Sequence, residues 1–104
     1  MSVLMEFSIF PTDQGESVSA HVSEVIRMIR DSGVAYRLTP MGTVIETEEL
    51  PDALVILEQA AAILKQRDCR RVYSAIKLDI REGKSARLEQ KIRSVTQKIG
   101  AVSS

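Results

Sequence analysis

Hydroxyl and carboxylate side chains are grouped around one turn of the chain, where they can contact a small polar molecule. Residues 36–46 are expected to form two short strands joined by a Pro-Met-Gly turn, with Thr39 before the turn and Thr43 and Glu46 after it. A hydroxyl both donates and accepts hydrogen bonds, and a carboxylate balances positive charge. The hairpin is therefore the first candidate for a site that binds a polar or cationic ligand.

Two acids, Glu6 on the first strand and Glu46 on the hairpin, are expected near each other on the same face of a sheet. One interpretation is that a carboxylate accepts a hydrogen bond from a ligand's amine or neutralises its charge. The other is an ion pair with Lys77 or Arg81 between subunits. General acid–base chemistry is not expected, because no nucleophile or water-positioning group accompanies the two acids.

Three hydroxyls, those of Ser8, Thr39 and Thr43, are placed near these acids by the same pattern. They suit a heteroaromatic ligand that has nitrogen acceptors and an amino group, although ordinary strand and turn hydrogen bonding explains them equally well. Ser17 and Ser19 lie where the first helix begins. They are interpreted either as helix caps or as a weak anion or hydroxyl site.

Composition limits the class of protein. The chain has 104 residues, enough for one domain over residues 1–104. Fourteen basic and fourteen acidic side chains cancel, which argues against nucleic acid or an anionic membrane as a partner. No apolar run is long enough to span a membrane, and the first residues do not resemble a signal peptide. A single cysteine, Cys69, fits a reducing cytoplasm, and the only histidine, His21, has no neighbouring ligand in the sequence to suggest a metal site.

Hydrophobic periodicity predicts the element order β-α-β-β-α-β followed by a third helix. The strands are expected over residues 3–10, 34–39, 43–48 and 70–81. The helices are expected from Ser17 or Ser19 to Ser32, from about Pro51, and after Lys84. This order is typical of an α+β, ferredoxin-like fold, in which the first and third strands are central and two helices cover one face of an antiparallel sheet. The third helix is expected to pack either on its own sheet or on a neighbouring subunit.

The face of the sheet without helices is predicted to form a homo-oligomer interface. Met5, Phe7 and Ile9 are expected to face the helices, which leaves a mixture of apolar and charged side chains on the open face. Such a mixture is more typical of an interface than of a solvated sheet. The residues expected there are Leu4, Glu6, Ser8, Tyr36, Leu38, Val44, Glu46, Tyr73, Ala75, Lys77, Asp79 and Arg81.

Four segments together resemble the thiamine-binding (YkoF-like) family: residues 6–11, 17–19, 36–46 and 71–73. The resemblance implies a ferredoxin-like protomer that assembles into a tetramer built as a dimer of dimers. It also implies non-catalytic binding of thiamine or its hydroxymethylpyrimidine portion, with no further cofactor, in thiamine salvage, delivery or sensing.

The residues expected to bind this ligand combine the family's motifs with the chemistry above. Tyr36, Met41 or Leu38 would supply a flat or soft wall for the rings. Two alternatives remain. One is a structural or regulatory homo-oligomer without a small ligand, and the other is a small enzyme acting on a pyrimidine precursor, disfavoured because no nucleophile–base pair is present. The predicted ligand-binding residues are Glu6, Ser8, Ser19, Thr39, Met41, Gly42, Thr43 and Glu46.

Overall fold

Four strands and three helices follow one another in the predicted order. The computed structural model describes all residues from Met1 to Ser104. None of the three helices combines the length and the apolar character that crossing a membrane requires. The strands are β1 (Ser2–Pro11), β2 (Ala35–Thr39), β3 (Gly42–Thr47) and β4 (Val72–Arg81), and the helices are α1 (Ser19–Ser32), α2 (Leu50–Gln66) and α3 (Arg87–Ile99).

The strands form one antiparallel sheet in the order β2-β3-β1-β4, so the prediction that the first and third strands are central is confirmed. Strand β1 pairs along its whole length with β4, from Ser2 opposite Arg81 to Pro11 opposite Val72. Gly33 ends α1 in the left-handed conformation, as glycine after a helix commonly does. The central position of β1 and β3 makes their inward side chains the middle of the core.

The hydrophobic core lies between the sheet and the helices α1 and α2. The predicted inward face of β1 is confirmed, because Met5, Phe7 and Ile9 are all buried. The inward side chains of β1, which are every second residue, therefore pack against the apolar faces of the two helices in one layer. The buried apolar residues are Val3, Met5, Phe7, Ile9, Val25, Ile29, Ile45, Ala53, Ile56, Ala60, Leu64 and Cys69.

The loop of the β2–β3 hairpin has two residues, Pro40 and Met41, because β2 ends at Thr39 and β3 already begins at Gly42. The sequence predicts a three-residue turn that includes Gly42, and this detail is wrong. A change of one residue in a hairpin loop alters the register, and side chains on one strand then face the opposite side of the sheet.

As a result, Tyr36 and Leu38 lie on the helix side of the sheet. Tyr36 pairs with Ile45, which in turn pairs with Met5, and directly opposite residues share a face. The prediction that Tyr36 and Leu38 belong to the open face is therefore wrong. Arg37 takes the open-face position between them.

Helix α3 packs on the open face of its own sheet, close to β1, β2 and β3. Its first residue, Arg87, is buried against that face, while Leu88 and Ile92 are half-buried. An ion pair between Glu89 and Arg37 of β2 adds a contact further along the helix. The expectation that the second face is bare is thus wrong, and the open-face side chains that α3 leaves uncovered are mainly those of β4.

Candidate functional site

A pocket of about 380 Å³ opens between α1 and the β2–β3 hairpin, at the end of β1. Its size lies within the range of small-molecule sites, which are mostly apolar with a few polar groups. No acidic or basic side chain contributes to its wall. We call it the hairpin pocket. Its lining residues are Phe7, Ser8, Ile9, Phe10, Val18, Val22, Val25, Ile26, Ile29, Leu38, Thr39, Pro40, Met41, Gly42 and Thr43.

Thr43 is the buried polar side chain of the hairpin pocket. It pairs with Phe7 on β1 and Leu38 on β2, and alternation along β3 puts its side chain on the helix side. Only 4% of the residue is exposed. Of the chain's five threonines, the other four use their hydroxyls in hydrogen bonds, whereas the Thr43 hydroxyl has no partner within the chain. The oxygen itself is not sealed off from the pocket space, so this group is available to a ligand that fills the pocket.

Thr39 has a different role, because its hydroxyl is already used to close the hairpin. It donates a hydrogen bond to the Gly42 carbonyl at 2.9 Å and accepts bonds from the amides of Met41 at 3.2 Å and Gly42 at 3.1 Å. A side chain bonded in this way fixes the loop. Thr39 therefore shapes the rim of the pocket.

Gly42 allows the hairpin to lie close against β1. A Cβ atom at this position would be 2.9 Å from the backbone oxygen of Phe7, closer than two such atoms approach one another. Met41, the next residue back, is 88% exposed at the mouth of the pocket. Ser8 borders the pocket through its backbone, because the alternation of β1 assigns its side chain to the open face, opposite Ala75.

Ser19 lies beside the pocket and does not cap α1. The N-cap residue is Val18, which makes no side-chain capping bond, so the prediction that Ser17 or Ser19 caps the helix is wrong. Ser19 instead begins a shallow depression of about 400 Å³ on the outer side of α1, which we call the arginine depression. Its lining residues are Ser19, Ser23, Arg27 and Arg30, together with Val22, Ile26 and Leu38, which it shares with the hairpin pocket.

The two predicted acids lie on the opposite face of the sheet from the hairpin pocket. Glu6 pairs with Lys77 on β4 of the same chain, with 3.4 Å between the ammonium nitrogen and the carboxylate oxygen, whereas the ion-pair interpretation expects this contact between subunits. Both side chains are largely exposed, so this contact adds little to stability. The pocket thus contains five of the eight predicted residues, Ser19 adjoins it, and Glu6 and Glu46 are separated from it by the sheet.

Glu46 fixes the beginning of α3. Its carboxylate accepts hydrogen bonds from the Ser2 hydroxyl and from the backbone amides of Arg87 at 3.0 Å and Leu88 at 3.2 Å. Partial burial by itself would raise the pKa of Glu46, but these hydrogen bonds and the charge of Arg87 outweigh it, and the pKa is lowered. The side chain therefore stays ionised at neutral pH. Its negative charge is stabilised by the free amides at the beginning of α3.

Cys69 and His21 are also in contact, although they are 48 positions apart in the chain. The Cys69 sulfur is 3.7 Å from His21 Nδ1, and the Arg67 Nε–H donates to that same nitrogen at 3.0 Å. Burial and nearby Asp13 raise the pKa of the Cys69 thiol, with Arg67 opposing them. Since Nδ1 is occupied and the thiol stays protonated, the pair is not arranged as a nucleophile and its base. Cys69 is a free, buried residue between α2 and β4.

Sequence reasoning missed the part of the pocket that α1 supplies. Val18, Val22 and Ile26 continue the apolar stripe of α1 towards its start, yet each is only half-buried. Their positions one turn apart follow the same helix face. In the sequence, the pocket wall is indicated only by the length of this stripe, which is longer than α2 and the sheet can cover.

Comparison with known proteins gives the same assignment for nearly the whole chain. The sequence profile of the family described as "Thiamine-binding protein" matches residues 5–96. A UPF0045 protein of Mycobacterium bovis is 37% identical over 95 residues, which cover 91% of this chain and 92% of the relative.

Two solved structures share the fold. A hypothetical protein of Methanocaldococcus jannaschii is 31% identical with a TM-score of 0.78, covering 92% of this chain and 97% of the other. A Bacillus cereus domain of unknown function is 26% identical with a TM-score of 0.77, covering 88% and 86%. Residues 5–96, which the family profile matches, contain every residue that lines the hairpin pocket. The chain therefore belongs to the thiamine-binding protein family.

Proposed function

We propose that this protein binds thiamine through its aminopyrimidine ring, or binds hydroxymethylpyrimidine alone, in the hairpin pocket and without catalysing a reaction. The observation that carries the proposal is the Thr43 hydroxyl, which belongs to a buried residue in the wall of an apolar pocket and lacks a partner in the chain. An aminopyrimidine offers ring nitrogens that accept hydrogen bonds and an amino group that donates them, and one hydroxyl can satisfy either. Family membership supports a thiamine-related ligand.

The charge of the pocket favours the neutral pyrimidine over the thiazolium as the buried ring. The sequence suggests Glu46 or Glu6 as the partner of a cation, but both acids lie across the sheet, and the pocket wall has no carboxylate. An unpaired cation is costly to bury in an apolar site. The thiazolium of thiamine would therefore remain at the mouth, near Met41, where water and the polarizable thioether surround it.

The polar groups of the pocket support binding without chemistry. Its side-chain hydroxyls are those of Thr39, which is used by the hairpin, and Thr43. Neither is next to a histidine, lysine or carboxylate in the pocket wall that would take up its proton, as a nucleophilic hydroxyl requires. For such a binder we propose a cytoplasmic role in thiamine salvage, delivery or sensing.

Thr43→Val is expected to weaken binding of hydroxymethylpyrimidine by about tenfold, the effect of one hydrogen bond left unmade in a buried site. Isothermal titration calorimetry of hydroxymethylpyrimidine and of thiamine measures this loss. Thr43→Ser keeps the hydroxyl and should bind within about threefold of the parent protein. Thr96→Val is the control, because the Thr96 hydroxyl bonds only to Arg93 within α3.

Equal affinity of Thr43→Val and the parent protein would contradict the proposed site. No heat with either compound would favour a structural or regulatory protein, and conversion of the ligand detected by mass spectrometry would favour an enzyme. Circular dichroism of each variant separates loss of binding from loss of fold.

A self-associating protein is the second candidate, and the exposed edge of the sheet favours it. Strand β4 has ten residues and no neighbour on its outer side. Ile76, Leu78 and Ile80 on its helix side are each close to half exposed. A long apolar edge of this kind usually pairs with another chain. The proposed homo-oligomer therefore begins with a dimer through β4, and the part of the open face not covered by α3 is left for the dimer of dimers.

The side chains of β4 match those of a second copy in one antiparallel register. When the two strands cross at Leu78, Ile76 lies opposite the partner's Ile80 on the helix side. On the open face, Lys77 lies opposite the partner's Asp79. Opposite charges and apolar pairs across strands both stabilise a sheet.

Leu78→Lys is expected to convert the oligomer into species of half the mass or less, because it puts two ammonium groups opposite each other at the centre of the proposed strand pair. Sedimentation velocity or light scattering measures the mass. Ile99→Lys, at an exposed apolar residue near the end of α3, is the control and should leave the mass unchanged. A parent protein that is monomeric, or a variant that keeps the parent's mass, would contradict this interface.

A further inference from the structure

The arginine depression places positive charge directly beside the hairpin pocket. Four polar residues follow one face of α1 from its first turn: Ser19, Ser23, Arg27 and Arg30. The depression shares the wall formed by Val22, Ile26 and Leu38 with the pocket. A ligand that fills the apolar pocket would therefore reach the arginine depression by extending past the side chains of these three residues.

The two arginines can bind an anion in addition to the acids that they already contact. Arg27 pairs with Glu24 at 3.3 Å and Arg30 with Asp31 at 2.9 Å, and all four side chains are more than a third exposed. Exposed pairs of this kind contribute little and exchange readily. Guanidinium groups bind phosphate through two parallel hydrogen bonds, a geometry that a carboxylate neighbour does not exclude.

The beginning of α1 adds to this positive region. Its first turn contains no acid, and no side chain caps it. The amides of the first turn therefore keep their partial positive charge beside Ser19. By itself a helix start is a weak anion site, but here it is next to two arginines, two serine hydroxyls and a pocket whose Thr43 hydroxyl has no partner in the chain.

We propose that the arginine depression binds the phosphate of a phosphorylated ring ligand whose ring occupies the hairpin pocket, and thus that the protein prefers a phosphate monoester to the unphosphorylated compound. This rests on the proposed function. The two parts of such a ligand bind in different places for a physical reason. A phosphate is too strongly hydrated to enter the uncharged pocket, while a flat ring gains little from the exposed, charged arginine depression. A ligand with both parts uses both surfaces.

Calorimetry tests the preference with five probes: hydroxymethylpyrimidine, its phosphate monoester, thiamine, thiamine monophosphate and inorganic phosphate. At least one of the two phosphate esters is expected to bind about tenfold or more tightly than its unphosphorylated form, the effect of one charge-assisted hydrogen bond. The pair that shows this advantage identifies which ligand reaches the arginines. The advantage should shrink as salt is raised, because the arginines are exposed.

The double variant Arg27→Met and Arg30→Met should lose this advantage while keeping the affinity for the unphosphorylated compound. Lys91→Met with Arg93→Met removes the same charge from the exposed side of α3 and is the matched control. Equal affinities for both pairs of compounds, or an advantage that persists in the double variant, would overturn the phosphate site and leave the pocket intact. Binding of inorganic phosphate but of no ring compound would overturn the proposed function together with this inference.

Discussion

Replacing Arg87 with methionine is expected to lower the free energy of unfolding by about 2–4 kcal/mol, as loss of a buried hydrogen-bond network does. The guanidinium donates to the Ser2 hydroxyl at 3.0 Å, to the Ser2 carbonyl at 2.8 Å and to the Asp79 carbonyl at 2.6 Å. It also pairs with the Asp79 carboxylate at 3.2 Å. Methionine fills a similar volume but donates nothing, so buried acceptors lose their partners.

Urea unfolding followed by circular dichroism measures this change, and hydrogen exchange shows where it acts. The amides of α3 should exchange faster in the variant. Those of β1 and β3 should keep most of their protection, because their hydrogen bonds are made within the sheet and do not involve α3. Lys91→Met, one turn further along α3 and exposed, is the control. A change in unfolding free energy below about 0.5 kcal/mol, the size of an ordinary surface substitution, would show that Arg87 does not hold the helix.

Replacing Gly42 with alanine is expected to destabilise the protein by about 1–3 kcal/mol, the usual cost of forcing extra volume into a packed site. It should also weaken binding of hydroxymethylpyrimidine by at least about tenfold, since positioning a buried hydroxyl less well costs as much as a hydrogen bond. The new methyl group would lie 2.9 Å from the Phe7 carbonyl oxygen, a backbone atom that cannot move aside by rotating. The hairpin must shift away from β1, and Thr43 is the next residue in the chain.

The same two measurements on Met41→Ala separate the effect of Gly42 from a general effect of mutating the loop. Met41 is almost fully exposed, so its removal should leave the unfolding free energy nearly unchanged. Should Gly42→Ala match the parent protein in both stability and affinity, the close approach of the hairpin to β1 would have no role in forming the pocket.

Part of the site could be predicted from residue types because its polar groups are local in the chain. Thr39, Met41, Gly42 and Thr43 are consecutive or nearly so, and a hairpin brings them together whatever the rest of the protein does. The wall from α1 could not be predicted in this way. A half-buried valine and a core valine have the same pattern in the sequence, and only packing against α2 distinguishes them.

Glu46 shows the opposite case, a residue of suitable chemistry that tertiary structure directs elsewhere. The prediction placed it on the open face, which is where it lies, and expected a ligand or a subunit there. Instead, α3 folds back and its free amides bind the carboxylate. Glu46 is 41 positions before Arg87 and 42 before Leu88 in the chain. At such separations, sequence patterns give no indication of partners.

By itself the sequence determined the order of the seven elements, the inward face of β1 and the central position of the first and third strands, because these depend on local periodicity and on the rules of chain connection. Only the tertiary structure decided which face Tyr36 and Leu38 occupy, because a hairpin loop of two residues and one of three give opposite alternation. It also decided that α3 covers the open face, since that depends on a distant carboxylate and a buried arginine meeting in three dimensions. The pocket results from both: a hairpin specified locally and a helix wall specified by packing.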